Sequence, residues 1–300
     1  MTDTRFKRIE KKKTQELISY DHSVWKDIKK ELFSNKIALV SIIILLIIII
    51  ASILAPLSPY DPNKINVAEK LQGISAKHIF GTDEYGRDYF TRALYGGRIS
   101  LTVGFCSMIM TVILGTAIGI TSGYFGGKVD MVMQRFLEIA NGIPRLVIVT
   151  LLLLVLEPGM LTIIFALMLT EWVGMSRIAR AEMLKLKEQE FVLASRTLGA
   201  GNFFIIFKEV LPNIIGPIIT QVMFSIPTAI FTEAFLSFVG LGIPVPQCSL
   251  GSLISDGFNS FTTHPYQIIP PIVVMALLML SFNLVADGLR EALDPKLKEM

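Results

Sequence analysis

Cysteine and charge are both scarce in this 300-residue sequence. Its two cysteines, Cys106 and Cys248, cannot build a disulfide framework, and neither belongs to a C-x-x-C pair. Charged residues make up 18% of the chain, whereas soluble domains usually carry about 25%. The formal net charge of +3 is too small to argue for binding to nucleic acid. These shortages disfavour a disulfide scaffold, a nucleic-acid-binding protein and an aqueous enzyme with one large core.

Motifs of catalysis and metal binding are also missing. The sequence contains no H-E-x-x-H, no G-x-S-x-G and no His/Cys spacing of a metal site. The segment 123–128 is the nearest to a phosphate loop, but its glycine spacing is one residue short and Val129 replaces the Mg²⁺-binding Ser or Thr, so a turn is predicted. His78 and His264 are expected to be solvated residues of outer loops rather than metal ligands. We therefore predict no catalytic residue, metal or cofactor on this chain.

Apolar residues dominate instead, at 52% of the chain and a mean hydropathy of +0.59. A helix needs about 20 apolar residues to cross a hydrocarbon layer of roughly 30 Å. Six runs meet this length: 37–57, 99–123, 136–156, 160–178, 214–240 and 268–286. The third run is interrupted by Asn141, Gly142, Pro144 and Arg145. The pattern predicts an all-α membrane protein with six transmembrane helices.

The distribution of Lys and Arg predicts the orientation. With the N-terminus inside, the inner segments contain 21 of the 28 Lys and Arg residues and the outer segments contain five. Because positive residues favour the cytoplasmic side, both termini are predicted to be cytoplasmic. The predicted organisation is a cytoplasmic tail, 1–35, followed by a six-helix domain, 36–300. That domain has outer loops at 58–97 and 241–267 and a cytoplasmic loop at 177–212.

The tail ends in an amphipathic segment. Five apolar residues fall on one helical face with three lysines opposite, which is typical of a helix in the membrane interface: Val24, Trp25, Ile28, Leu32 and Phe33 against Lys26, Lys29 and Lys30. The alternative is a short cytosolic helix that extends the first span.

Small and polar residues recur inside three predicted spans. Gly115, Gly119 and Gly123 share one face of the second span and predict close approach of another helix. In the fourth span, Glu171 is expected to pair with Arg177 or Arg145.

The fifth span contains Pro217 and Pro227 and is expected to have interrupted backbone hydrogen bonding. It also carries a polar stripe, for which we use the name span-five stripe: Gln221, Ser225, Thr228 and Thr232. Glu233 stands beside it. One hypothesis is that these residues line a polar translocation path, since a carboxylate at membrane depth should face protein or water. The alternative is that Glu233 lies near the outer interface and anchors helix packing.

The cytoplasmic segment 177–212 is too polar to remain in the membrane and is patterned as a short helix. Acidic and polar residues at 188–190 favour a helix start, and Gly199 favours its end. A short helix held at the cytosolic surface by two membrane helices would act as a rigid lever.

Its sequence resembles the "EAA" coupling loop of ABC-importer permease subunits, in the spacing Ala194-Ser195-x-x-x-Gly199 followed by Leu211-Pro212. The segment 187–200 is similar to that of oligopeptide and dipeptide permeases, and so are 80–88, 95–101 and 233–242. The chain resembles the C-type subunit of the oligopeptide/dipeptide/nickel importer family, closest to oligopeptide permeases. It departs from the pattern at Leu193, where the first Glu usually lies.

The resemblance implies a type I ABC importer permease fold in a bacterial cell membrane and a non-catalytic subunit, with ATP and Mg²⁺ bound by partner subunits. The implied partners are a homologous second permease subunit, two cytosolic ABC ATPases, an extracytoplasmic peptide-binding protein, lipid and a peptide substrate, without nucleic acid. The residues implied to contact the ATPase are Glu190, Phe191, Ala194, Ser195, Arg196, Thr197, Leu198, Gly199 and Ala200. The alternatives are a dipeptide or nickel permease, or a self-contained secondary transporter, which would need an ion-coupling carboxylate cluster that the sequence does not show.

Overall fold

A computed structural model describes residues 20–293 of the chain. The first 19 residues and the last seven lie outside the described residues, so most of the predicted cationic tail and both termini do too. Within 20–293 the structure is helical, and its only β pairing is an isolated bridge between Thr82 and Asp88.

Eleven α-helices follow one another in the described part of the chain. They are α1 (Tyr20–Ser34), α2 (Lys36–Ile53), α3 (Tyr89–Phe125), α4 (Gly127–Gly142), α5 (Arg145–Val155), α6 (Met160–Leu186), α7 (Glu190–Thr197), α8 (Asn202–Phe204), α9 (Leu211–Phe238), α10 (Leu250–Asn259) and α11 (Ile269–Leu293). A π-helical turn, Ile205–Val210, joins α8 to α9, so that 202–238 forms one continuous helical span.

Five of these helical segments are long and apolar enough to cross a membrane in the described residues, and a sixth crossing is possible only as a bent pair. The third predicted span is present as this bent pair rather than as one straight helix. Helices α4 and α5 meet at an angle of 76°. Pro144 has no N–H to donate, and the preceding Ile143 adopts extended backbone (φ −95°, ψ 128°), so the helix stops at Gly142 and restarts at Arg145.

The second predicted span is longer than its apolar run. Helix α3 begins at Tyr89, where the Asp88 side chain accepts a hydrogen bond from the amide of Thr91 at the helix N-terminus. Residues 89–97 of the predicted outer segment are therefore helical, and the point at which α3 enters the membrane stays a prediction. At the other end, Gly126 and Gly127 have positive φ angles, which produces the turn predicted for 123–128.

The packed core lies between α3, α6 and α9, with α11 and α2 on one side. Helix α2 is the least covered span, with 22% of its apolar window buried, as expected for a helix that faces lipid. Helix α1 contacts α11, and its Ile28 is buried, while Lys26, Lys29 and Lys30 are exposed. Of the other residues of the predicted apolar face, Leu32 is half-buried and Phe33 is exposed, and the side chains of Val24 and Trp25 lie outside the described residues; the placement of α1 at the membrane interface stays a prediction.

Candidate functional site: the cytoplasmic helix and the polar residues of the spans

The short cytoplasmic helix, α7, forms where the sequence predicts it. It begins at Glu190, whose carboxylate is favourable at a helix N-terminus, and its last residue is Thr197. Gly199 follows with a φ of +87°, in the left-handed region that residues with a Cβ rarely adopt. Backbone hydrogen bonds from Leu198 and Ala200 to the carbonyls of Ala194 and Ser195 close the helix end.

Three contacts fix α7 to the rest of the bundle. Val192 is fully buried in the same apolar cluster as Met183 of α6. The Ser195 hydroxyl donates to a carboxylate oxygen of Glu209 at 3.2 Å, in the π-helical turn. The Arg196 guanidinium lies 5.6 Å from the centre of the Tyr124 ring at the end of α3. These contacts join α7 to α6, to α3 and to the π-helical turn that leads into α9.

The opposite side of α7 is exposed and partly apolar. Leu198 is 88% exposed, and Phe191 and Leu193 are also exposed. Of the nine residues implied to contact an ATPase, seven are exposed, and Ser195 and Ala200 are half-buried: the exposed ones are Glu190, Phe191, Ala194, Arg196, Thr197, Leu198 and Gly199. Neighbouring exposed apolar side chains at a defined position are typical of a surface that contacts a partner.

The three glycines of the second span all face α6. A Cβ added to Gly115 would lie 2.6 Å from Met175, one on Gly119 would lie 2.3 Å from the carbonyl oxygen of Ser176, and one on Gly123 would lie 2.9 Å from Met183. Such distances are below van der Waals contact, so α3 and α6 approach each other as closely as they do because no side chain separates them.

An ion pair at the cytoplasmic end of the same helices was not predicted. Arg180 of α6 donates two hydrogen bonds to Asp130 of α4, at 2.7 and 2.5 Å, and Ser122 of α3 donates to the same carboxylate. Fifty residues separate Asp130 from Arg180, and no local pattern in the sequence marks them as partners. The pair fixes the start of the broken third span against α3 and α6.

The span-five stripe lies on an unbroken helix, so the expected interruption at Pro217 and Pro227 does not end α9. The hydroxyls of Ser225, Thr228 and Thr232 each donate to the carbonyl four residues earlier, at 2.9, 2.9 and 2.8 Å. Thr228 is exposed, Gln221 and Ser225 are half-buried, and Thr232 is buried. The stripe therefore presents a mildly polar edge, of which only part is accessible within this chain. Its function as a path stays a prediction.

Glu233 does not belong to that stripe, which corrects the grouping made from sequence. It is fully buried and points about 100° around α9 from Thr232, since each residue turns an α-helix by that angle. Its carboxylate accepts hydrogen bonds from Ser100 of α3 at 2.8 Å and from Ser237 at 2.7 Å. The geometry supports the packing alternative.

Two further hydrogen bonds extend this network to α10. The backbone amide of Leu250 donates to the Ser100 hydroxyl, and Ser249, which caps α10, donates to the Ser237 hydroxyl. The Glu233 network thus joins the outer ends of α3 and α9 to the short helix of the second outer loop. The family resemblance included 95–101, which contains Ser100, but nothing in the sequence indicated that Ser100 or Ser249, which are 133 and 16 residues from Glu233, would join it in one network.

The motif at 80–88 builds an ionic cluster outside the spans, in which Asp83, Arg87 and Arg92 are buried and the Asp256 side chain is 55% exposed. Asp83 pairs with Arg87 at 2.7 Å and with Arg92 at 3.6 Å, and Arg92 reaches Asp256 of α10 at 3.7 Å. Burial raises the pKa of Asp256, and the Arg92 guanidinium opposes that rise. The cluster ties the first outer loop to the second.

His78 belongs to the same region and is 1% exposed, with its Nδ1 2.8 Å from an Asp88 oxygen. The expectation of a solvated His78 was wrong, because Asp88 and the Tyr60 ring, 5.0 Å away, enclose it. Within 20–293 no group of three or more His, Cys, Asp or Glu residues is placed to hold a metal ion.

The described residues combine helices that cross the membrane, a cytoplasmic helix fixed to them, and two outer loops joined by ion pairs. This arrangement defines a membrane permease subunit. The chain belongs to the family described as "Binding-protein-dependent transport system inner membrane component", whose profile matches residues 115–299. Residues 23–73 match the "N-terminal TM domain of oligopeptide transport permease C". The chain is thus an inner-membrane component of the permease class.

Individual relatives agree over nearly the whole chain. The oligopeptide transport system permease protein OppC of Bacillus subtilis (strain 168) is 44% identical over 278 residues, which are 92% of this chain and 91% of the relative. The dipeptide transport system permease protein DppC of the same strain is 44% identical over 283 residues, 94% of this chain and 87% of the relative. OppC of Escherichia coli (strain K12) is 37% identical over 277 residues, 91% and 92% of the two chains.

Solved structures of lower sequence identity share the fold. A chain of the MetNI methionine ABC transporter, in inward-facing conformations (native crystal form), matches with a TM-score of 0.57 and 16% identity, over 68% of this chain and 97% of that one. The selenomethionine-soaked form gives a TM-score of 0.55 over 66% and 95% of the two chains. The predicted type I ABC importer permease fold is confirmed.

Proposed function

We propose that this chain forms one half of the translocation pathway of an ATP-driven peptide importer. The observation that carries the proposal is the 44% identity to OppC over 92% of the chain, which includes the α1–α2 region matched by the N-terminal domain profile. A homologous second permease subunit would supply the other half. An extracytoplasmic peptide-binding protein would deliver peptide to the outer face.

In this proposal α7 transmits the motion of a cytosolic ATPase. Its support is geometric: Val192, Ser195 and Arg196 fix the helix to α6, the π-helical turn and α3, while Leu193, Ala194 and Leu198 remain exposed. A partner that presses on the exposed side would move several spans together. Two ATPase subunits would bind ATP and Mg²⁺, because no nucleotide-binding motif occurs in this sequence.

The translocation path is proposed to include the span-five stripe. Three of its hydroxyls are already bonded to their own helix backbone, so the two that are not buried, of Ser225 and Thr228, offer acceptor oxygens to a passing solute without unpaired donors. A wall of this kind would not retain a particular side chain, which suits the transport of varied peptides. Selection among peptides would then take place mainly at the peptide-binding protein.

A dipeptide importer is the second candidate, because DppC of Bacillus subtilis matches this chain with the same 44% identity as OppC. The two candidates differ in the length of peptide that is carried. Nothing in the residues of the spans described above measures peptide length.

Peptide uptake in the source bacterium tests the proposal. The gene for this chain is deleted, and uptake of radiolabelled di-, tetra- and hexa-alanine is measured before and after complementation. We expect tetra- and hexapeptide uptake to depend on the gene; dependence of the dipeptide alone would favour the second candidate. Uptake of all three that is unaffected by deletion would contradict both.

Purification of the tagged chain in mild detergent gives a second, independent readout. We expect a second permease subunit and two ATPase subunits to copurify with it. A purified chain that transports peptide alone in vesicles would contradict the proposal.

A further inference from the structure

The break in the third span places an ion pair deep in the membrane. Arg145 is the first residue of α5, and a guanidinium nitrogen lies 3.4 Å from a carboxylate oxygen of Glu171 on α6. At 1.5 Å per residue, Arg145 is about 15 Å from the outer end of α5 at Val155, and Glu171 is about 16 Å from the outer end of α6 at Met160. Half of a hydrocarbon layer of roughly 30 Å is the same distance, so the pair lies near the membrane midplane.

The two members of the pair differ in accessibility. The Glu171 side chain is 6% exposed, whereas the Arg145 side chain is 44% exposed. The residues around Arg145, from Asn141 to Val147, are all exposed as well. A guanidinium cannot face hydrocarbon at this depth without a large free-energy cost, so its accessible side faces water or another subunit across a water-filled path.

The neighbouring surface of α6 supports the aqueous assignment. Four positions at helical spacing along α6, beside Leu167 and Ile178, carry small or polar residues: Thr170, Gly174, Arg177 and Ala181. Gly174, Arg177 and Ala181 are exposed, and no atom lies within 4 Å of a Cβ added to Gly174. Met175, which the core buries, points about 100° away from Gly174, whereas the buried Leu167 continues the same face towards the outer end of α6. This face continues from Arg145 towards the cytosol.

The hydrogen-bonding capacity of the pair is largely unused among the described residues. The guanidinium has five N–H donors, and its one hydrogen bond in residues 20–293 is the contact with Glu171. The second carboxylate oxygen of Glu171 is buried and has no partner in the same range. Helix α5 also begins without a side-chain cap, so its positive end lies at the same point. The free guanidinium donors and the positive end of α5 favour an anionic ligand, whereas the unpaired Glu171 oxygen is itself an acceptor and would need a donor.

We propose that Arg145, oriented by Glu171, binds a carboxylate of the transported peptide at the midpoint of the pathway. The C-terminal carboxylate is the group that every unmodified peptide carries, and a guanidinium binds a carboxylate through two parallel hydrogen bonds. The inference rests on the proposed function, since it assigns a substrate contact within that pathway. Arg145 would add a preference for a free carboxylate that the span-five stripe does not have.

Transport of a matched pair of peptides tests this contact. The complete importer, with its binding protein, is reconstituted in vesicles, and uptake of tetra-alanine is compared with uptake of its C-terminal amide. The ratio of the two rates is taken within each variant, so it does not depend on the amount of active complex. For Arg145→Gln we expect the ratio of acid to amide to fall about tenfold, as for loss of a hydrogen bond to a charged group.

Two further variants separate recognition from structure. Arg98→Gln removes an exposed cation near the outer end of α3 that makes no ion pair within residues 20–293 and lies outside the proposed site, and we expect it to leave the ratio unchanged. Arg145→Lys keeps the charge but loses the planar pair of donors, and we expect a smaller fall than with Gln. If the complex with Arg145→Gln does not assemble, Arg145→Lys tests the contact in its place.

An equal decrease in both rates, or an unchanged ratio, in both Arg145 variants would overturn the inference while leaving the proposed function in place. Absence of uptake of either peptide by the wild-type complex would overturn the proposed function and the inference with it.

Discussion

Replacement of Gly119 by Ala is predicted to weaken the contact between α3 and α6. The new methyl group would lie 2.3 Å from the Ser176 carbonyl oxygen and 2.8 Å from the Ala179 methyl group. All three contacts nearest to that position are backbone or Cβ atoms of α6. No flexible side chain can therefore move away to relieve them, and the helices must separate locally. Overpacking by one methyl group in a well-packed core costs about 1–3 kcal/mol.

The matched control is Gly174→Ala, at a helical glycine of α6 where no atom lies within 4 Å of the added Cβ. It is expected to be neutral or stabilising by up to about 1 kcal/mol, because Ala has the higher helix propensity. Thermal unfolding in detergent measures both variants. Gly119→Ala should unfold roughly 2–10 °C below the wild type. Equal unfolding temperatures for the two variants would refute the argument that absent side chains set the α3–α6 distance.

Three other substitutions test the network, the cluster and the cytoplasmic helix. Glu233→Ala leaves the Ser100 and Ser237 hydroxyls without their acceptor and should lower the free energy of unfolding by about 2–4 kcal/mol, measured by thermal unfolding. Glu233→Gln keeps one acceptor oxygen and should cost less. Equal losses for the two variants would contradict the network. Asp83→Ala leaves the buried guanidinium groups of Arg87 and Arg92 without their nearest carboxylate. The outer loops should then be cleaved by protease added to right-side-out vesicles. Wild-type resistance to the protease would contradict the cluster's role. Val192→Ala should weaken the packing of α7 against the bundle by about 2 kcal/mol and raise the rate of hydrogen exchange across 190–197. An unchanged exchange rate would show that Val192 does not fix the helix.

Helix positions followed well from the sequence because each span depends on a local property, the length of an apolar run. The third span shows the limit of this reasoning. Asn141, Gly142 and Pro144 were visible as interruptions, but run length alone favoured one straight crossing. The 76° angle at the break depends on how α5 packs against α6 and on what α4 contacts at the cytoplasmic end, including Asp130 with Arg180. These contacts join residues that are distant in the chain.

Side-chain partners inside the bundle were harder to predict than helices. The sequence placed Glu233 beside a polar stripe, although the direction in which it points is decided by Ser100, which lies on another helix. In the same way, the sequence left two partners open for Glu171, and the structure selects Arg145. His78 was expected to be solvated because nothing near it in sequence showed that Asp88 and Tyr60 would enclose it.

The cytoplasmic helix was predictable in extent but not in attachment. Glu190 and Gly199 mark its ends through capping rules that act locally. Its contacts with Glu209 and Tyr124 form only after α9 and α3 are in place. Sequence alone therefore located the cytoplasmic helix but not the residues that it contacts.

The measurement that tests the central claim most directly compares ATP hydrolysis with peptide uptake in one reconstituted importer carrying Ala194→Arg. Ala194 is exposed on α7, so a bulky cation there should disturb contact with a partner without disturbing the packing of Val192. Ala194→Ser, which keeps the residue small, is the control and should retain uptake. We predict that Ala194→Arg continues to hydrolyse ATP while uptake falls at least tenfold, about 1.4 kcal/mol in coupling. Wild-type uptake by Ala194→Arg would contradict the account.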